Sequence, residues 1–241
     1  MLIDTYTHLD FPEFTKDLDD VLLRAKQAGV ERIITTGINL ESSRQAVQLA
    51  ERYPQTYASV GIHPSCANEE REDFLAELEQ LVKHPKVVAI GGIGLDFSRL
   101  RSEQENAEVS QTVFGAADFH TVQSEIRDEA EVTVQAVAHG FDAGPEQTEE
   151  LLDLGHFVSF SGIVTFENAG EVREAAKSIP IDRVMVESDS PYFVPVPNRN
   201  RRCEPAFLRE TAAFIAYLRG ISLAEFAGRT TQNAQRFFGL S

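Results

Sequence analysis

Histidine and carboxylate side chains recur in this sequence where short apolar runs end. The first unit is Leu2-Ile3-Asp4-Thr5-Tyr6-Thr7-His8-Leu9-Asp10. Further along, Tyr57–His63 ends in His63-Pro64, the run from Val87 leads to Leu95-Asp96, Val132–His139 ends in His139, and Arg183–Glu187 leads into Ser188-Asp189. Imidazole nitrogens and carboxylate oxygens can hold a divalent ion while leaving a position open for water. Water on such an ion is acidic enough to attack an ester or phosphodiester near neutral pH. Plainer readings exist for each residue. His8 or His139 at a strand tip can simply bond a neighbouring loop. Asp189, ahead of Ser190-Pro191, can be a turn or cap residue. The chemistry depends on whether the fold brings these tips together.

The elements that must position them alternate. Asp17–Ala28 carries Leu18, Val21, Leu22 and Ala25 at helical spacing, and Gly29 stops it. Arg32–Gly37 is a β-branched strand, and Glu41–Tyr53 a helix ended by Pro54. A strand at Tyr57–His63, a helix at Asp73–Val82 with Phe74, Leu75, Leu78, Leu81 and Val82 inward, and a strand at Val87–Gly94 follow. The middle is less regular: Ser102–Arg127 reads as one long polar helix. Then come a strand at Val132–His139, a helix at Glu146–Leu154, a strand at Phe157–Ser161, a helix at Ala169–Ser178 and a strand at Arg183–Glu187. Two amphipathic helices, Pro205–Arg219 and Leu223–Phe238, close the chain.

Alternating strands and helices imply βα units and a parallel sheet. The expected architecture is α/β, a TIM-type (β/α)₈ barrel, for which 241 residues is an ordinary length. A doubly wound open sheet lacks its G-x-G-x-x-G turn here. Only seven strands can be counted, so one βα unit is expected to be shortened or missing in the middle. No linker, repeat or low-complexity segment breaks the chain, and residues 1–241 are read as one domain.

Net charge is −16, with no basic cluster larger than Arg199, Arg201 and Arg202. That argues against a duplex-binding basic face. It leaves room for a nuclease whose metal supplies the positive charge. Two cysteines without C-x-x-C spacing, no signal-like N-terminus and no long apolar run lead to the expectation of a cytoplasmic chain with no membrane span.

Several motifs occur together and in order: Leu2-Ile3-Asp4-Thr5, His8-Leu9-Asp10, Gly61-Ile62-His63-Pro64, Gly91-Gly92-Ile93-Gly94-Leu95-Asp96, Ser159-Phe160-Ser161-Gly162, Val186-Glu187-Ser188-Asp189-Ser190-Pro191-Tyr192 and Glu204-Pro205. Together they closely resemble the TatD-type metal-dependent hydrolases over nearly the whole chain, apart from about residues 115–135. The resemblance implies a barrel with divalent metal at its C-terminal mouth and water-driven cleavage of a phosphodiester or ester, as in deoxyribonucleases.

Carried over residue by residue, the resemblance makes His8, His139 and Asp189 metal ligands, with Asp189 also catalytic, and His63 a substrate-phosphate contact. Tyr6 stands where the family has the first histidine of His-x-His. Gly92 stands where it has a bridging glutamate. The fifth-strand His-Ser-Arg-Asp has no counterpart beyond Ser124-Glu125-Ile126-Arg127-Asp128. His139 is aligned with the sixth strand, although the fifth is also open. The expected cofactor is therefore one divalent ion (Mg, Mn or Zn) rather than two. The expected substrate is single-stranded DNA or a small phosphoester. A single-metal hydrolase of a small ester or phosphoester and a catalytically silent binding scaffold are the competing readings. Restoring Tyr6→His and Gly92→Glu together is expected to raise metal binding. Glu187 is read as a strand-end hydrogen-bonding residue, His84 and His156 as surface or helix-end residues, and Cys203 as inert.

Overall fold

The computed structural model describes residues 1–69, 74–93 and 135–240. Among them are seven strands: β1 (Leu2–Thr7), β2 (Val30–Thr36), β3 (Thr56–Val60), β4 (Val87–Ile90), β5 (Val137–Ala138), β6 (Phe157–Phe160) and β7 (Val184–Val186). Helices α1 (Leu18–Gln27), α2 (Leu40–Arg52), α3 (Phe74–Val82), α4 (Pro145–Asp153), α5 (Gly170–Ser178), α6 (Leu208–Arg219) and α7 (Leu223–Phe238) alternate with them and close the chain. All ladders are parallel, in the orders β1-β2-β3-β4 and β5-β6-β7. Sequence spacing placed the described helices and most strands within a few residues of their observed bounds, while β4 and β5 are shorter than the expected Val87–Gly94 and Val132–His139. The Ser102–Arg127 helix, the Asp96 tip, the Ser124–Asp128 stretch and the shortened unit fall outside the described residues.

The two sheets meet at β1 and β7. Thr5 Oγ1 donates to the Val186 carbonyl at 3.1 Å, Asp189 N–H to the Tyr6 carbonyl at 3.0 Å and His8 N–H to the Ser190 carbonyl at 2.9 Å. This seam, the parallel ladders and the helical alternation are those of a (β/α) barrel. Among the described residues no ladder links β4 to β5.

Neighbouring strand residues serve opposite faces, as a period of two requires. Leu2, Ile33, Val158, Val184 and Val186 pack with Val172, Ala175 and Ala176 of α5 and Leu208, Ala212 and Ile215 of α6. Ile3, Ile34, Phe157 and Met185, one step along in sequence, pack instead with Ala234 and Phe238 of α7 and with Leu240. Helix starts follow local chemistry. Asn39 caps α2 by accepting from Ser42 N–H at 2.8 Å while the Ser42 hydroxyl accepts from Asn39 N–H at 3.0 Å.

Helix α3 differs from expectation. None of its side chains is buried, and Leu75 is 59% exposed. Among the described residues, Leu78 and Leu81 pack against the Ala46–Val60 cluster. Helical spacing identified the helix but overstated the width of its apolar face. Of the two readings of His156, the surface one is corrected: it follows the end of α4 but is 1% exposed, and its Nδ1 accepts from Ala136 N–H at 3.2 Å, which ties the approach to β5 onto the start of β6.

Candidate metal centre

The C-terminal ends of β1, β5 and β7 converge. Just past the end of β7, Glu187 and Asp189 are two residues apart, and their carboxylates reach one cluster. Glu187 is fully buried and Asp189 is 6% exposed. His139, just past β5, brings its ring to them. Ligand atoms of His139, Glu187 and Asp189 all lie within 4.8 Å of one another. His8 approaches from β1, with Nε2 3.7 Å from Asp189 Oδ1.

The structure thus gathers the three ligands expected from sequence, but not as a closed trio. His139 and Asp189 share the tight cluster with Glu187, and His8 borders it through Asp189. Glu187 does accept a backbone hydrogen bond, from Gly140 N–H, as expected of it. Its place between His139 and Asp189 is what the sequence reading missed.

Backbone and side chains fix these groups closely. Asp189 has φ 47°, a left-handed conformation uncommon for a non-glycine residue. The preceding residue is held by Asp4, fully buried in β1, whose Oδ1 accepts from Ser188 N–H at 2.8 Å. His8 Nδ1 lies 2.9 Å from the Thr36 carbonyl, which can only accept, so Nδ1 carries the proton. Burial pushes the His8 pKa down to about 4. At neutral pH its Nε2 therefore holds a free lone pair, the form in which histidine ligates metal.

Burial sets the electrostatics of this site. Burial pushes the Asp189 carboxyl up to about 7. Glu187 is raised well above the carboxylate range, first by burial and then by the charge of Asp189. Burial also raises Asp4 to about 7. Glu187 Oε2 and Asp4 Oδ2 have no hydrogen-bond partner among the described residues. Buried carboxylates without a cation are costly and take up protons. A divalent ion removes that penalty, so the donor set of His139, Glu187 and Asp189, bordered by His8, fits one.

Two positions at which the family resemblance led us to expect further ligands carry Tyr6 and Gly92 instead. Tyr6 lies 7% exposed between the histidines, stacked on His139 with ring centroids 3.8 Å apart and edge-on to His8 at 5.1 Å. Burial and the charges of Asp189 and Glu187 hold its phenol well above its ordinary pKa, so it stays neutral and is a poor ligand. Gly92 has φ +75°, and a Cβ there would stand 2.6 Å from the Gly37 carbonyl oxygen. The backbone at 92 has adapted to glycine, so the expectation that Gly92→Glu would restore a ligand is corrected: the side chain has no room to start.

His63 follows β3, half-buried, with its ring Nδ1 2.8 Å from Ser65 Oγ. His63 N–H donates to the Ile38 carbonyl at 2.8 Å, which fixes the turn after β3. The three arginines divide. Arg202 pairs with Asp17 and lies near Glu204, away from the cluster, and Arg201 stacks on Phe207. Arg199 is exposed and lies over the Phe166 ring at 3.8 Å. Cys203 is buried, its thiol pushed up to about 12 by burial, in keeping with an inert role.

A family model described as TatD related DNase matches residues 3–239. The chain is 34% identical over 255 residues to the "uncharacterized metal-dependent hydrolase YabD" of Bacillus subtilis, covering 100% of both. It is 34% identical over 259 residues to the "3'-5' ssDNA/RNA exonuclease TatD" of Citrobacter rodentium, covering 100% of this chain and 98% of that protein. Among solved structures, YJJV, a TatD homolog from Escherichia coli K12, superposes with a TM-score of 0.83 at 26% identity, over 100% of this chain and 98% of that one.

Proposed function

The chain belongs to the family of TatD-related DNases, and from that membership and the chemistry of the mouth we propose that it is a metal-dependent hydrolase of phosphodiester bonds in single-stranded nucleic acid, working with one divalent ion. The observation that carries this reading is the cluster of His139, Glu187 and Asp189 within 4.8 Å, two of its members buried carboxylates.

His139, Glu187 and Asp189 would hold the ion, with the Nε2 lone pair of His8 as a fourth donor. His8 Nε2 lies 3.7 Å from Asp189 Oδ1, too long for a hydrogen bond, so its lone pair would be open to an ion held by Asp189. When bound, the ion supplies a Lewis acid for the phosphate and water of lowered pKa. Asp189, the carboxylate that borders both His139 and His8, is placed to take the proton of the attacking water. His63 donates toward a phosphate oxygen from the rim. Tyr6 closes the far side of His139, keeps its ring in place and excludes water from that flank.

The test is hydrolysis of a single-stranded oligonucleotide with added Mn²⁺, Mg²⁺ or Zn²⁺. Cleavage that chelation removes, and that Asp189→Asn or Glu187→Gln abolishes, is the expected result. Cleavage undiminished in both variants would overturn the assignment.

A further inference from the structure

Aromatic rings lead outward from the metal cluster. His8 lies nearly parallel to Phe11, with centroids 4.6 Å apart and planes 14° from parallel. Phe11 meets Tyr192 edge-on at 6.1 Å, and Tyr192 neighbours Phe193 at 6.5 Å. Tyr192 is 50% and Phe193 39% exposed, although both follow Asp189 by only three and four residues. Rings of this size are usually covered in a folded chain.

The loop that presents them is held at both ends. Tyr192 N–H donates to the Asp189 carbonyl at 2.8 Å. Phe193 is in the left-handed region with φ 44°, and its carbonyl is seated against Gly162, where a Cβ would stand 1.8 Å away. Val196 N–H donates to Thr165 Oγ1 at 3.0 Å. Farther along the same loop, Arg199 rests on Phe166 and has no carboxylate partner among the described residues.

We propose that Tyr192 and Phe193 form a stacking subsite for the bases of a single strand, with Arg199 facing its phosphates. The proposal rests on the nuclease reading of the mouth. Net charge strengthens it: at −16 the protein repels a polyanion at long range, so affinity must come from short-range contacts. Base stacking is such a contact, and it tolerates any sequence because every base has a π face. It also selects single strands, since bases paired within a duplex are already stacked on one another.

The test uses ten-nucleotide, 5′-fluorescent single strands with phosphorothioate linkages to slow cleavage, and Mn²⁺ present. One version carries bases throughout, and the other has abasic sites at its two 3′-terminal positions. Fluorescence anisotropy gives both affinities. The wild-type protein is expected to bind the base-bearing strand roughly 5- to 150-fold more tightly. Tyr192→Ala should lose that preference while keeping the abasic affinity, Phe193→Asn should reduce it, and Tyr192→Phe should retain it. Melting temperatures confirm that the variants fold. Equal wild-type affinity for both strands, or an equal loss on both in Tyr192→Ala, overturns the stacking subsite while leaving the nuclease reading standing. No binding of either strand overturns both.

Discussion

Tyr6 lies flat on His139, with ring centroids 3.8 Å apart and planes within 7° of parallel. A residue that appeared in sequence as a lost ligand is therefore a support for one that remains. Truncation should free the His139 ring. Tyr6→Ala is expected to weaken metal affinity by about 10-fold or more, the usual scale for losing a group that orients a ligand. Tyr6→Phe, which keeps the stack, should bind as the wild type does. Isothermal titration with Mn²⁺ or Zn²⁺ measures both.

Gly92 gives a stability prediction. Its φ of +75° and the 2.6 Å from a built Cβ to the Gly37 carbonyl oxygen make any side chain there strained and crowded. Gly92→Ala should cost on the order of 1–3 kcal/mol, read as a lowered denaturation midpoint. Gly92→Glu should cost at least as much and add no metal, even combined with Tyr6→His.

The buried carboxyls predict an unusual pH profile for the metal-free protein. Asp4 and Asp189 are raised from 3.8 to about 7, Asp10 from 3.8 to about 6, and Glu187 well above 4.5. Raised carboxyl values mean that the folded state keeps protons the unfolded chain has released. Stability is then full below the unfolded values near 4 and is lost as pH rises toward 7. His8 has the opposite sign: lowered from 6.5 to about 4, it makes stability rise with pH across that interval. Several carboxyls outweigh one imidazole, so the melting temperature should be higher near pH ~5.5 than near pH ~8. Saturating divalent metal should flatten or reverse that slope. Asp4→Asn, which keeps an acceptor for Ser188 N–H, should make it shallower.

A structural ion pair outside the mouth provides a contrast. Arg24 grips both oxygens of Glu204, Nε to Oε1 at 2.8 Å and Nη2 to Oε2 at 2.7 Å, and Glu204 is 3% exposed. Arg24→Ala leaves that carboxylate buried with only Arg202 nearby, 3.9 Å away. The expected loss is on the order of 2 kcal/mol in chemical denaturation, with metal stoichiometry unchanged. Lysine should rescue poorly because it cannot grip both oxygens.

The order of strands and helices was legible because period-two and period-3.6 patterns depend on local chain geometry. Ile33 and Ile34, adjacent in sequence, do serve opposite layers. His8, His139 and Asp189 were legible as residues that end strands. Their mutual arrangement was not, because it depends on the β1–β7 seam and on the left-handed backbone of Asp189, neither of which leaves a periodic trace. Glu187 was overlooked because an acid at a strand end is usually solvated, and only its complete burial sets it apart. The adaptation of the backbone around Gly92 is likewise a tertiary fact: the neighbour that excludes a Cβ is Gly37, far away in sequence.

His139, Glu187 and Asp189 should hold a single ion. Metal content per chain, measured by elemental analysis after equilibration with Mn²⁺ or Zn²⁺ and dialysis, tests it most directly. One equivalent in the wild-type protein, lost in Glu187→Gln and in Asp189→Asn, is the predicted result. Two equivalents, or none together with a melting temperature unmoved by either metal, would contradict it.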